Sequence, residues 1–194
     1  MKIAIVKYNA GNVESVKNAL NRLNIKPILT DDPDELSSAD KVIFPGVGEA
    51  SSAMRFLREK NLDKVIKSLT QPVLGICLGM QLLCKFSEEN ETQCLGILPQ
   101  KVRRFEPENL KIPQMGWNNI FNLKSDLFEG IKENAYVFFV HSFYVETGAE
   151  TIAVCDYGVN FSAAINYKNF YAVQFHAEKS GVIGEKILEN FLNI

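Results

Sequence analysis

Few side chains in this chain can do chemistry, and one arrangement of them stands apart. Gly75-Ile76-Cys77-Leu78-Gly79 follows the apolar stretch 72–76 and precedes a helical pattern carried by Met80, Leu82, Leu83 and Phe86. This is glycine-x-nucleophile-x-glycine at a strand-to-helix turn. The flanking glycines let the backbone turn tightly enough to present the middle side chain in a strained, exposed conformation. Cysteine there gains further, because unpaired N–H groups at the start of the next helix favour thiolate over thiol. The plainer alternative is a buried cysteine in a glycine-rich turn. Cys84, Cys94 and Cys155 read as core residues.

A thiolate nucleophile needs a base, and the chain holds only two histidines. His176 directly follows the strand pattern Tyr171-Ala172-Val173-Gln174-Phe175, and Glu178 lies two residues further on. At the carboxyl end of a parallel sheet that imidazole can reach the elbow cysteine, while the glutamate holds the other ring nitrogen and fixes the tautomer. The expectation is a Cys77–His176–Glu178 triad. His141, inside Val140-His141-Ser142-Phe143-Tyr144, sits in a strand pattern and reads as a hydrogen-bonded structural histidine. Acyl chemistry also needs an oxyanion hole. Pro45-Gly46-Val47-Gly48 follows a buried strand at the sheet edge where open α/β sheets place their ligands. It is either that hole or a simple strand-to-helix turn. It is not a phosphate loop: no Lys-Ser/Thr follows, and Ser51 stands at the place of a third glycine.

The elements that must position these groups follow from the hydrophobic pattern. Residues 3–6 form a short, wholly apolar strand, as expected for one buried on both faces. Val13, Val16, Leu20 and Leu23 then repeat at helical spacing after Gly11-Asn12, with Asn12 as N-cap. Residues 27–30 and 42–44 read as strands, with a capped helix start at Asp31-Asp32-Pro33-Asp34 between them. Met54, Leu57, Leu62, Val65, Ile66 and Leu69 mark helical material before the strand at 72–76. This rhythm predicts an α/β fold, a mixed and mostly parallel sheet with helices on both faces. Alternating stretches around 95–105, 136–146, 152–155 and 161–175 suggest antiparallel strands and hairpins. A last helix spans about 181–192, and the whole of 1–194 reads as one domain.

Composition narrows the classes. With 21 Lys+Arg against 23 Asp+Glu, the net charge of −2 gives no electrostatic reason to expect nucleic acid or an anionic membrane. No C-x-x-C pair or helical His pair is present, so neither a metal nor any other cofactor is expected. The opening MKIAIVKY is too short and too sharply interrupted for a signal peptide, and no run is long enough to span a bilayer. These readings predict a cytoplasmic protein with reduced cysteines.

The chain resembles the triad-type (class I) glutamine amidotransferases. The matching stretches are Tyr8-Asn9-Ala10-Gly11-Asn12, Pro45-Gly46-Val47-Gly48, residues 72–81 around Cys77, Met115-Gly116-Trp117-Asn118, Phe139-Val140-His141-Ser142, and Gln174-Phe175-His176-Ala177-Glu178-Lys179-Ser180-Gly181. The resemblance implies a class I glutamine amidotransferase-like (flavodoxin-like) fold and hydrolysis of L-glutamine to glutamate and ammonia. It implies that Cys77 attacks the side-chain amide, His176 protonates the departing ammonia and Glu178 orients His176. It puts the Leu78 N–H and the Gly46-Val47 peptide in the oxyanion hole, and assigns Gly48, Gln81, Glu89, Ser142 and Phe143 to holding the glutamine. The P-G-V-G and M-G-W-N stretches look most like members that form a heterodimer with a (β/α)8-barrel cyclase. That partner uses the ammonia to make imidazole glycerol phosphate and an aminoimidazole carboxamide nucleotide in histidine biosynthesis. Asn12, Met115, Trp117 and Lys179 then lie at or near the partner face.

Three positions depart from the pattern: Ala177 stands where relatives usually carry Pro, Gln114 where they carry His, and Lys7 where they often carry Asp. Ala177 loosens a φ constraint between the two triad members, and Gln114 is a position where partner contacts could differ. A paralogous subunit feeding another synthase, such as one acting on amidino sugars, would carry the same triad. A cysteine peptidase on a related fold would need no partner, and a regulatory binding module would need no triad.

Overall fold

The computed structural model describes residues 1–9, 11–106 and 111–194; Ala10, part of the first motif above, lies outside them. In the first half, strands β1 (Ile3–Val6), β2 (Ile28–Thr30), β3 (Lys41–Gly46) and β4 (Val73–Cys77) alternate with helices α1 (Val13–Arg22), α2 (Pro33–Ser37), α3 (Ala50–Glu59) and α4 (Leu62–Ser68). α5 (Leu78–Leu83) starts at the residue after Cys77. The second half holds β5 (Phe86–Ser87), β6 (Thr92–Gln93), β7 (Lys101–Arg104), β8 (Gln114–Ile120), β9 (Ala135–His141), β10 (Phe143–Val145), β11 (Thr151–Asp156), β12 (Asn160–Tyr167), β13 (Phe170–Val173) and a final helix, α6 (Gly181–Asn193).

Seven strands form the main sheet in the order β11-β12-β13-β4-β3-β1-β2. The five from β13 to β2 pair in parallel, whereas β12 and β11 add antiparallel at one edge. Every residue of β1, β3 and β4 is buried. Their side chains alternate between two cores, because successive residues of a strand face opposite sides. Ile3, Ile5, Ile43, Leu74 and Ile76 pack with Val16 and Leu20 of α1 and Ile187 and Phe191 of α6. Ala4, Val6, Val42, Phe44 and Val73 pack on the other face with Met54 and Leu57 of α3, Ile66 of α4 and Leu82 of α5. Each such fully buried Leu, Ile or Phe contributes about 1.5–3 kcal/mol. Helices cover both faces, as the pattern predicted, and the carboxyl ends of the parallel strands are left as the place for a site.

The local expectations fare unevenly. Asp32 caps α2 through its Oδ1, which accepts from Asp34 N at 2.8 Å and Glu35 N at 3.1 Å. Asn12 precedes α1 in a left-handed conformation (φ 73°) but makes no side-chain cap bond; its amide is engaged elsewhere. The helical stretch 54–69 is two helices, separated where Asn61 takes φ 55°. Only residues 101–104 of the stretch 95–105 form a strand. The backbone N–H groups of Leu95, Ile97 and Leu98 instead donate to the Leu82 and Leu83 carbonyls at 2.9–3.0 Å, closing the open end of α5. Residues 136–146 break at Ser142: β9 pairs with β8, a strand that the alternation did not reveal, and β10 pairs with β7.

Candidate active site

β4 carries its apolar run to Cys77, whose backbone sits at φ 53°, ψ −110°. An L-residue avoids that region, and it persists only where the surroundings impose it. Here they do. A Cβ on Gly79 would lie 1.7 Å from the Phe44 carbonyl oxygen, and one on Gly75 would lie 2.9 Å from Leu83 Cδ1 and 3.0 Å from Met80 N. Both glycines of the motif are therefore required by close approach of β3, β4 and α5, and the turn between them lifts Cys77 to the carboxyl edge of the sheet.

His176 is fixed to the same edge through its backbone. Its N–H donates to the Phe138 carbonyl at 2.9 Å, and its own carbonyl accepts from Ser180 Oγ at 2.7 Å. Its Nδ1 lies 2.7 Å from Glu178 Oε1. An ionised carboxylate can only accept, so Nδ1 carries the proton and Nε2 is the nitrogen left for chemistry at the cavity that Cys77 and His176 both line. The three triad residues predicted from the sequence are thus brought together, and all three are buried. Asn12 joins them: its Nδ2 donates to Glu178 Oε1 and lies 3.4 Å from His176 Nδ1. Two donors converge on one carboxylate oxygen, while the buried Oε2 has no partner among the described residues.

The electrostatics differ sharply between the two histidines. Burial alone would lower His176, but hydrogen bonds to the Cys77 sulfur and the Glu178 carboxylate, with the charges of both, outweigh it and push its pKa up to about 10. A protonated His176 ring is the state this favours. His141 is lowered to about 4, first by burial; its Nδ1 bond to the Phe143 carbonyl at 2.7 Å opposes this only in part. It is hydrogen-bonded through Nδ1, as the sequence suggested, and the lowered value favours the neutral ring.

A cavity of about 230 Å3 opens over the sulfur, lined by Cys77 and His176 together with Val47, Gly48, Leu78, Gln81, Glu89 and Phe143. Six of the eight residues expected to bind substrate or oxyanion are there. Gly46 is not: it is the buried last residue of β3, paired in register with Cys77. A Cβ on it would lie 2.1 Å from the Tyr8 hydroxyl, which donates to the Pro45 carbonyl at 2.7 Å. Its smallness makes room for that tyrosine, and the exposed part of the loop begins at Val47, with Gly48 at φ 112°. Ser142 does not line the cavity either; its carbonyl accepts from Phe105 N. Glu89 accepts from Ala50 N at 2.7 Å, and its pKa is raised, chiefly by burial. Gln81 spends both hydrogens of its amide on the Phe143 carbonyl and Gln174 Oε1, each at 3.0 Å, so its carbonyl is the end left for a ligand. Val140, His141 and Lys179 also line the cavity. Val140 and His141 are adjacent in β9, inside a strand pattern that reads as structural, and the resemblance puts Lys179 on the partner face.

On the other side of His176, Met115 (66% exposed) and Trp117 (54%) stand on the outer face of the β8–β9 pair, beside Tyr136 (59%). Trp117 meets Phe138 edge to face with ring centroids 5.9 Å apart. Lys179 is exposed and Asn12 half-buried. β8 alternates, so with Met115 and Trp117 outward Gln114 points inward and is 3% exposed; it lines a shallow pocket together with Met115 and Trp117. Among the described residues no group of three or more His, Cys, Asp or Glu could hold a metal ion, and no helix is long and apolar enough to cross a membrane.

The family described as glutamine amidotransferase class-I matches residues 4–194. The chain is 55% identical to the imidazole glycerol phosphate synthase subunit HisH of Bacteroides fragilis, covering 100% of both chains. It is 50% identical to the protein of the same name from Blochmanniella floridana and 46% identical to that of Escherichia coli, again over 100% of both. Among solved structures, a glutamine amidotransferase crystal structure aligns with a TM-score of 0.75 at 20% identity, covering 98% of this chain and 97% of the other. A glutamine amidotransferase from Thermotoga maritima aligns with a TM-score of 0.69 at 17% identity, covering 100% and 83%. These two likenesses speak for the fold alone.

Proposed function

This chain belongs to the class-I glutamine amidotransferase family, and we propose that it is the glutaminase subunit of an imidazole glycerol phosphate synthase, working as one domain over residues 1–194. It hydrolyses L-glutamine to glutamate and passes the ammonia to a (β/α)8-barrel cyclase subunit. The names of the full-length relatives support the histidine-pathway assignment over an amidino-sugar partner. The observation that carries the chemistry is the buried His176–Glu178 pair set against a cysteine at φ 53° over an amino-acid-sized cavity.

The reaction runs through these groups in two halves. The Cys77 sulfur attacks the carboxamide carbon of glutamine. The oxyanion that forms faces the Leu78 N–H at the start of α5 and the Val47 segment. The carbon–nitrogen bond then breaks, ammonia leaves with a proton from His176, and a glutamyl thioester remains. His176, now neutral, takes a proton from water as the water oxygen attacks the thioester, and glutamate departs as the sulfur is released. Glu178 holds the imidazole tautomer through both halves. Glu89 and the Gln81 carbonyl are acceptors suited to the α-ammonium of glutamine. The outer β8–β9 face, with Met115 and Trp117, and Asn12 and Lys179 nearby, faces the cyclase; an exposed Trp is a common interface anchor. Four unpaired cysteine thiols fit a cytoplasmic, reducing compartment.

The test is glutamine hydrolysis with and without the cyclase subunit and its nucleotide ligand. We expect little activity alone, strong stimulation by the liganded partner, and a loss on the order of 10³-fold or more in Cys77→Ser. Equal activity in Cys77→Ser would refute the mechanism. Glutaminase activity that no barrel cyclase can use would refute the pathway and leave the hydrolysis standing.

A further inference from the structure

β13 ends at Val173, and the next side chain, Gln174, is a fully buried amide in an otherwise apolar run. Its backbone is anchored, with its N–H donating to the Ala163 carbonyl at 2.8 Å, so the side chain has little freedom in where it reaches. Its Oε1 accepts from Gln81 Nε2 at 3.0 Å, and its Nε2 donates to the Cys77 sulfur at 3.7 Å. The direction of this chain is forced. The Phe143 carbonyl can only accept, so Gln81 turns its NH2 towards it and towards Gln174; Gln174 must then present its carbonyl to Gln81 and its NH2 to the sulfur.

The sulfur also lies 3.8 Å from the Val140 carbonyl. The two contacts discriminate between its protonation states. A thiol can donate to Val140, whereas a thiolate gains nothing from a carbonyl lone pair and is favoured by an N–H donor. We propose that Gln174 is a positioning residue for the nucleophile. Its N–H holds the Cys77 sulfur in the thiolate form, and its carbonyl ties that sulfur to Gln81, whose own carbonyl faces the cavity. The proposal rests on the glutaminase reading only in its kinetic arm.

Gln174→Met keeps the length and burial of the side chain and removes the donor. Iodoacetamide alkylation of Cys77 at neutral pH is expected to slow about tenfold, the weight of one hydrogen bond to a charged acceptor. In the complex with the cyclase subunit, kcat for glutamine falls by a similar factor while KM changes less, because Gln81 stays tied to Phe143. A merely structural role gives the opposite first result, since a loosened fold exposes the thiol and speeds alkylation. An alkylation rate equal to or above the parent's therefore overturns the proposal. A second readout does not depend on the Gln174 variant folding. The Gln174 side-chain amide resonance should move as the sulfur titrates and stay still in Cys77→Ser; an amide that ignores the sulfur also overturns the proposal. Neither readout requires glutamine, so a failed glutaminase assignment is told apart from a failed role for Gln174.

Discussion

His141 should make this protein labile to mild acid, and replacing it should remove that lability. Its imidazole is lowered from 6.5 in the open chain to about 4 in the fold, first by burial, with the charge of His176 adding to it. Above pH 6.5 the ring is neutral in both states and costs nothing. Below it the unfolded chain takes up a proton that the fold refuses, so stability is lost as pH falls, at about 1.4 kcal/mol per pH unit. By pH 4 the loss attributable to this one ring is about 3 kcal/mol, a large part of an ordinary domain's stability. His176 does not blur the window. Its folded value is raised to about 10, so its contribution is fully present below pH 6.5 and is lost only as pH rises towards 10. His141→Asn places a side-chain N–H near the position of Nδ1, keeps the bond to the Phe143 carbonyl, and does not titrate. Urea unfolding of parent and variant across pH 4–7 gives the check. The gap between them should move in the variant's favour by about 3 kcal/mol from the neutral end to the acid end, while groups common to both, such as Glu89, cancel. A gap that stays constant with pH would refute the reasoning.

Two further outcomes follow from the same geometry. Gly79→Ala places a Cβ against the Phe44 carbonyl oxygen, where 1.7 Å is available; backbone must shift, and denaturant unfolding should show a loss of about 3 kcal/mol together with loss of glutaminase activity. Glu178→Gln removes the carboxylate that holds Nδ1 and raises the imidazole, so kcat in the partner complex should fall at least about 10²-fold. The His176 resonance should also titrate at lower pH than in the parent; an unmoved titration would mean the carboxylate does not govern the ring.

The parts of the fold legible in the sequence were those in which one local rule decides. β1, β4 and residues 42–44 of β3 are buried apolar runs, and α2 has its Asp-Pro start, so their placement needed no tertiary information. The Cys77 elbow was legible because two glycines bracket it, and each proves to sit where a Cβ has no room. What stayed hidden depended on distant partners. β8 holds Gly116, Asn118 and Asn119 and lacks apolar alternation; it is a strand because β9 pairs with it along its length. Asn12 has the residue type of a helix cap, but its amide is turned to a carboxylate 166 positions later, its Nδ2 donating to Glu178 Oε1. Gln174 is one amide in a buried apolar run and must find partners; it finds Gln81 and the Cys77 sulfur.

His141 and His176 separate the effect of a partner from the effect of burial. Both are nearly enclosed, at 6% and 2% exposure, and burial by itself lowers either ring. Their charge states nevertheless diverge, because Nδ1 of one meets a backbone carbonyl and Nδ1 of the other meets a carboxylate, with a sulfur beyond. Burial is therefore not what distinguishes a structural histidine from a reactive one in this protein; the partner's charge is. For His176 that partner is written two residues away in the chain, at Glu178, which made the assignment possible. For His141 the partner is the carbonyl of Phe143, and a carbonyl leaves no mark in a sequence. The same spacing of two residues thus supports a charged ring in one case and a neutral one in the other, and only the side chain at the far end decides between them.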